Sequence, residues 1–547
     1  MRTRPEALRH IENRSFDVCV IGGGATGSGC ALDAQLRGLK TVQLEARDFG
    51  SATSSASTKM IHGGIRYLEQ AIRELDYKEY EVVRRALHER VHMLRNARYL
   101  TKTELFLTPC YSWFSVLYFE IGLKLYDWIA GSAGLAPSFF VPRQEILRRM
   151  PRLNPQRLIG AVAYTDGQFD DARYNIGLVN TFTEAGGEAL NYARVVGFLK
   201  DSGGKITAAE VEDQLSHRRF VVHARAFINA TGPFADTIRQ LASPGAPPRM
   251  RLSKGVHILL PLEVLSSLDA LLIPRTEDGR VLFAIPWLGR LLVGTTEQEV
   301  AVHDELFLTR EEVEYLLRHL NRYLARPVTA DQIVSGSVGA RPLVAATGKT
   351  DTKKLARDHE IEMDRRSGLI SIMGGKWTTY RAMAEDTVNA VQRFLGGPIS
   401  RAQTLDHPLA GSAGYLPDYW QTLAKEWGVS ELTALHLAQK YGTAAGRILG
   451  LVREDAGLSA PLVEGLAPIR AEVVFAAREE MAVSIEDVLA RRIGLQLYGW
   501  RDAIKGAPAV AQLLARELGW SESTEKQAAT EYVEMINHLF EKAGLAS

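Results

Sequence analysis

A chain of 547 residues, 46% hydrophobic and 24% charged, has the make-up of an ordinary soluble protein and is long enough for two or three domains with sizeable cores. Its 65 Lys+Arg against 64 Asp+Glu leave a net charge near +1, so no global field favours nucleic acid. The three cysteines, Cys19, Cys30 and Cys110, lie far apart with no C-x-x-C pairing, which suits a reducing compartment and argues against a disulfide framework and against a zinc site.

The first fifteen residues carry charges throughout and have no apolar core, so no secretory signal is read there. From Phe16 to Glu45 an apolar strand, a G-x-G-x-x-G turn (Gly22, Gly24, Gly27), a small-residue helix and a second strand ending in an acid form a dinucleotide fingerprint in its required context. Gly22 permits the tight turn, Gly24 the close approach of a pyrophosphate, and Gly27 the close packing of helix on strand; Glu45 is placed to accept ribose hydroxyls. The helix N-terminus offers N–H groups and a partial positive charge to the phosphates. The loop Ala52-Thr-Ser-Ser-Ala-Ser-Thr-Lys59 supplies hydroxyls beside that cofactor.

From Leu68 through Leu94 apolar residues step by three to five, which predicts a long amphipathic helix. Its Arg84, Arg85, Arg90, Arg95 and Arg98 suit either anionic lipid or a solvated face. Tyr111 to Leu135 is aromatic-rich but interrupted by Glu120, Lys124 and Asp127, so it does not span a bilayer. It reads equally as an interfacial helix or as a buried helix of a substrate domain.

Gly167 to Arg173 opens a helix ending near Gly186. Runs at 193–199, 205–211 and 219–224 then predict a β-meander, and a separate strand at 226–230 enters the turn Thr231-Gly232-Pro233. Strands are predicted at 250–261, 281–285 and 290–295, and a helix at 310–324. The stretch 369–381 repeats strand, Gly374-Gly375 and helix start. Residues 1–67, 156–235 and 340–396 are accordingly assigned to a discontinuous nucleotide-binding domain, and 68–155 with 236–339 to a substrate domain. Residues 397–547 are assigned to a helical cap or dimerisation domain, which leaves a homodimer open.

The fingerprint, the 52–59 loop, Ile61-His-Gly-Gly-Ile-Arg66-Tyr67, Tyr164-Thr-Asp-Gly-Gln-Phe-Asp-Asp-Ala-Arg173, Asn229-Ala-Thr-Gly-Pro233, Lys254-Gly-Val-His257, Gly294-Thr-Thr-Glu297, Gly339-Ala-Arg341-Pro342 and Gly374-Gly-Lys-Trp-Thr-Thr-Tyr-Arg381 resemble FAD-dependent glycerol-3-phosphate dehydrogenases. The likeness runs along nearly the whole chain in order. It departs at Ile493-Gly-Leu-Gln, where the family's basic stretch is expected, and no calcium-loop motif of the mitochondrial relatives is seen.

The resemblance implies an α/β fold with a Rossmann-like FAD-binding unit of the glutathione-reductase/D-amino-acid-oxidase type, a mixed-sheet substrate domain and an all-helical C-terminal domain. It implies hydride transfer from C2 of sn-glycerol 3-phosphate to FAD, with electrons passed to a membrane quinone by a cytoplasmic protein held at the inner face of the membrane. It places FAD on Gly22, Gly24, Ala25, Thr26, Gly27, Glu45, Thr53, Ser54, Ser55, Lys59, His62, Val195, Ala230, Thr231, Gly232, Gly375, Trp377 and Thr378. It places substrate on Arg66, Tyr67, His257, Arg341, Arg357 and Lys376, with His257, Arg341 and Lys376 catalytic and His62 the second candidate for the base. Guanidinium suits a phosphate because its planar fork binds bidentately, and imidazole titrates near neutrality. Three other readings stay open: an oxidase that uses oxygen, an oxidase of an amine or 2-hydroxy acid, and a non-catalytic nucleotide-binding regulator.

Overall fold

A computed structural model describes residues 1–12, 14–64, 77–302, 304–345 and 358–546. β1 (Ser15–Ile21) enters the glycine turn and α1 (Ala25–Leu36), and β2 (Thr41–Leu44) follows. The short β3 (Met60–Ile61), α2 (Tyr77–Asn96), β4 (Thr101–Cys110), α3 (Trp113–Ala130), β5 (Phe139–Pro142) and β6 (Gly160–Phe169) lead to α4 (Asp171–Glu184). Next come β7 (Glu188–Leu190), β8 (Ala193–Lys200), β9 (Ile206–Asp213), β10 (Arg219–Asn229) and α5 (Ala235–Ala242). β11 (Met250–Pro261), β12 (Ala270–Ile273), β13 (Leu282–Trp287), β14 (Arg290–Gly294), β15 (Gln298–Val300), α6 (Arg310–Asn321) and β16 (Ser335–Val344) build a second layer. The chain then returns through β17 (His359–Met363), β18 (Ile370–Gly374) and α7 (Tyr380–Phe394), and it is helical from Tyr419 onward.

Two sheets organise these elements. The first has the order β17-β18-β10-β1-β2-β7, with β8 and β9 attached to β10. Its centre is parallel, and Val18 to Ile21 are buried, as expected of a strand covered on both faces. β10 is one strand where the sequence suggested two. Its first residues pair antiparallel with β9, and from His223 on it pairs parallel with β1, so the meander grows straight out of the nucleotide sheet.

The second sheet is mixed, in the order β15-β11-β14-β13-β12-β4-β6-β3, with β16 on β11 and β5 on β6. β6 was expected on the nucleotide side, but it pairs with β4 along its whole length, from Thr101–Phe169 to Cys110–Gly160. Residues 340–344 likewise lie in this sheet, as the end of β16.

The arginines of α2 do not share one exposed face. Arg90 is buried against Asp166, while Arg85 and Arg95 pair with Asp386 and Asp406. The start of that periodic stretch, 68–76, lies outside the described residues. α3 is buried along one side and exposed along the other. Val116, Leu123, Tyr126 and Ile129 are buried, whereas Trp113, Phe114 and Trp128 are 68%, 79% and 72% exposed. Among the described residues no helix is long and apolar enough to cross a membrane.

The C-terminal helices are tied to the rest of the chain through buried ion pairs. Arg492 reaches both oxygens of Asp48 (2.7 and 2.8 Å), and Arg491 donates to the same carboxylate at 2.6 Å. Arg173 makes a two-pronged contact with Glu480, and Lys440 pairs with Asp170 at 2.6 Å.

Candidate active site

A cleft of about 630 Å³ opens between the two sheets. Its first wall is the glycine turn. Gly22 has φ +116°, and a Cβ there would stand 2.5 Å from the Ala230 carbonyl oxygen; one on Gly27 would stand 2.1 Å from that of Gly22. Neither position admits a side chain, because the turn, β10's exit loop and α1 pass in direct contact. Gly24 is the N-cap of α1 and brings no side chain of its own, so the helix start is open to the cleft. The nearest protein partner there is Ser54, whose Oγ accepts the Ala25 N–H at 3.0 Å.

Glu45 ends β2 on the same wall. Its Oε2 accepts the Gly23 N–H at 2.6 Å and its Oε1 the Arg47 N–H at 2.8 Å. Burial raises its pKa above the ordinary value, against the pull of those two N–H bonds. A carboxylate has about four acceptor directions, so two remain for hydroxyls in the cleft.

The loop 51–58 is held in place from three sides. Thr53 donates to the Ala340 carbonyl at 2.6 Å, Trp377 Nε1 donates to the Ser54 carbonyl at 2.9 Å, and Ser57 N–H donates to Asp171 at 2.9 Å. Lys59, at φ +60°, turns out of the cleft. Its ammonium pairs with the buried Asp171 and donates to the Ser55 carbonyl at 2.9 Å. Lys59 and Ser55 line a second cavity behind the loop. Expected at the cofactor, neither lines the main cleft; they brace the loop that lines it, because a buried ammonium needs its carboxylate. Gly27 also acts through packing and does not line the cleft.

Where the cleft meets the second sheet it gathers the candidate catalytic groups. His257 on β11 is 1% exposed, and its Nε2 lies 3.0 Å from Thr58 Oγ1. Burial, with Arg341 and Lys59 adding to it, pushes its pKa down to about 3. His62 is lowered to about 4 by burial, Lys376 and Arg90. Both rings are therefore neutral near pH 7 and hold a lone pair. Arg341 on β16 donates to Thr295 Oγ1 at 2.7 Å and to the Thr296 carbonyl at 3.3 Å. Gly255 makes room for it, since a Cβ there would fall 2.4 Å from the guanidinium.

Of the sequence-derived residues, Gly22, Gly24, Ala25, Thr26, Glu45, Thr53, Ser54, His62, Val195, Ala230, Thr231, Gly232, Gly375, Trp377 and Thr378 line this one cleft, together with His257, Arg341 and Lys376. Arg66, Tyr67 and Arg357 lie outside the described residues. The sequence reading missed Thr58, which sits in the hydroxyl-rich loop and so carried a signal. It also missed Arg47, Arg194 and Thr237, for which no motif spoke.

The family model for FAD dependent oxidoreductases matches residues 17–381, and that for the C-terminal domain of alpha-glycerophosphate oxidase matches residues 402–525. The mitochondrial glycerol-3-phosphate dehydrogenase of Bos taurus is 37% identical over 537 residues, covering 96% of this chain and 74% of its own length. That of Arabidopsis thaliana is 38% identical over 532 residues, covering 94% and 84%. The chain belongs to the FAD-dependent glycerol-3-phosphate dehydrogenases. A solved family member, the glycerol-3-phosphate dehydrogenase from Bacillus halodurans complexed with FAD, superposes with a TM-score of 0.79 at 28% identity and covers 99% of this chain and 97% of that one. The fold is thus the D-amino-acid-oxidase type of FAD-binding fold with a mixed second sheet and a helical C-terminal domain. As a glycerol-3-phosphate dehydrogenase family member the chain needs room for FAD. The side-chain-free turn, the open helix start and the spare acceptors of Glu45 fit that dinucleotide.

Proposed function

We propose that this chain oxidises sn-glycerol 3-phosphate to dihydroxyacetone phosphate with FAD as the immediate oxidant, and that the electrons go on to a membrane quinone. The gathering of Arg341, Lys376, His257 and His62 along the cleft that also carries the dinucleotide turn supports this reading most directly. Bound FAD supplies an acceptor for a hydride at its ring.

The chain's own residues do the rest. Arg341 and Lys376 neutralise a phosphate whose charge is near −2, and the guanidinium fork fixes its orientation. A neutral imidazole, His257 before His62, takes the proton of the C2 hydroxyl. The Gly374–Gly375 turn, which lines the cleft, would hold the cofactor's ring with its backbone N–H groups and would stabilise negative charge there. An amine or 2-hydroxy acid substrate would leave the second cation without a task.

Quinone transfer goes with a peripheral place on a membrane, for a cytoplasmic protein the inner face of the cell membrane, and the exposed aromatic side of α3 is the surface that supports it. The test is anaerobic mixing with glycerol 3-phosphate. Loss of the yellow flavin absorbance within one turnover time supports the reaction; an unchanged spectrum refutes it. The helical domain matches a family described from an oxidase, so the acceptor is tested separately. Reoxidation by a short-chain quinone should outrun reoxidation by oxygen, and stoichiometric peroxide release in air would overturn the quinone step.

A further inference from the structure

His359 begins β17 and stands opposite Gly374 in antiparallel register, so it borders the turn that carries Lys376 into the cleft. Its ring is 7% exposed and lies between two carboxylates. Nδ1 is 3.1 Å from Asp358 Oδ1, and Nε2 is 2.9 Å from Asp386 Oδ2 on α7. The turn Gly374–Thr379 joins β18 to α7, so the imidazole bridges the strand edge to the helix that this turn connects.

The turn packs closely against this bridge, with room for glycine but not for a side chain. Gly375, at φ +82°, would place a Cβ 3.4 Å from the His359 Cβ and 2.4 Å from Met383 Sδ on α7. Gly374, at φ +73°, would place one 3.0 Å from the Asp358 carbonyl oxygen. Asp358, His359 and α7 are therefore the groups that border the backbone of the turn.

We propose that His359 is a positioning residue for the reaction: its imidazolium straps Asp358 at the head of β17 to Asp386 on α7 and thereby fixes the Gly374–Gly375–Lys376 turn against the cofactor and substrate. The inference rests on the function proposed above.

Among the described residues, the charged groups around the ring are Asp358 beside it, Asp386 and Arg393 on α7, and Arg85 on α2, which shares Asp386; β16 contributes Val344 to the turn's packing. Only the imidazolium donates from both nitrogens, so only the charged ring holds both carboxylates at once. Burial pulls its pKa down, but the bonds to Asp358 and Asp386 outweigh burial and hold it above the ordinary value. Asp358 is correspondingly lowered by the His359 bond. A raised pKa means that the strap outlasts the pH at which a free imidazole would lose its proton and is lost as pH rises through the folded-state value; in acid it is lost when Asp358 and Asp386 take up protons.

The experiment compares native holoenzyme with His359→Gln and Asp386→Asn. It measures three quantities against pH: the flavin midpoint potential set by chemical reductants, the rate of anaerobic reduction by glycerol 3-phosphate, and the His359 titration by NMR. In the native protein the potential and the reduction rate should both fall as His359 deprotonates. Below the pH at which native His359 deprotonates, each variant should retain FAD, be harder to reduce and react about tenfold more slowly, and each should lose that alkaline dependence. If His359→Gln folds poorly, the nearly isosteric Asp386→Asn carries the same expectations. Variants with native potential and an unchanged pH profile would overturn the strap. A native protein that glycerol 3-phosphate does not reduce would refute the proposed function instead, and the potential and NMR measurements would still decide the role of His359.

Discussion

His257 and Arg341 lie on neighbouring strands of one sheet, and each sets what the other can do. Burial leads the lowering of the His257 pKa to about 3, and the Arg341 charge deepens it. A phosphate arriving at Arg341 would offset that charge and raise the basicity of the ring when a base is needed. We expect Arg341→Ala to raise KM for glycerol 3-phosphate roughly tenfold to a hundredfold, the cost of a lost charged hydrogen-bonding partner. Part of the depression at His257 should also be relieved. His257→Ala should instead lower kcat roughly a hundredfold or more while KM changes little. Steady-state kinetics against pH separate the two outcomes. Because the folded pKa of His257 is lowered, the ring stays ready as pH falls below 6.5, and its acid limb lies far down, toward the folded-state value. If kcat of His257→Ala kept the native magnitude and pH profile, the proton would have to go to His62.

α3 shows how one helix can carry two apolar faces. Its inner side seats Tyr126, whose hydroxyl accepts the Gly63 N–H at 2.8 Å and donates to Asp166 at 3.0 Å. Its outer side presents Trp113, Phe114, Leu117, Ile121 and Trp128 at helical spacing. We expect Phe114→Glu combined with Ile121→Glu to weaken sedimentation with anionic lipid vesicles at least tenfold, since each buried apolar side chain contributes about 1.5–3 kcal/mol. Turnover with a soluble acceptor should be unchanged. Equal vesicle binding by native and double-variant protein would remove α3 as the membrane face. The sequence disclosed this segment's composition but not its facing, because apolar residues lie all round the helix. The same limit explains β6 and β10. β10's apolar runs mark it as strand, whereas the sequence reading places no strand at β6; only tertiary pairing decides that β6 joins β4 and that β10 continues unbroken past Arg225. The glycine turn was legible in full, since each of its glycines answers a local steric demand.

At the scale of the whole chain, the helical C-terminal domain is clamped to the cofactor loop through Asp48, which lies three residues beyond Glu45. Asp48 is buried, and burial alone would raise its pKa; Arg492 and Arg491 more than reverse this and bring it below the usual carboxylate range. Nothing in the residue pattern announces this contact, because residues 48 and 491–492 become neighbours only once the domains have packed. Asp48→Asn leaves two guanidinium groups buried with less than their full complement of charge, and breaking such a cluster costs about 3–5 kcal/mol. We therefore expect a lower melting temperature in calorimetry and weaker retention of FAD, because the 46–58 loop loses its anchor. A depressed carboxylate contributes its stability above the unfolded-state pKa of about 4, and loses it only as pH falls through the lower folded-state value. The stability gap between native and Asp48→Asn should therefore hold from neutral pH down to about pH 4 and close only in stronger acid. A gap that closed well above that pH would mean that the clamp is not the ionised pair inferred here, and a gap of zero at neutral pH would mean that the helical domain docks by its apolar surface alone.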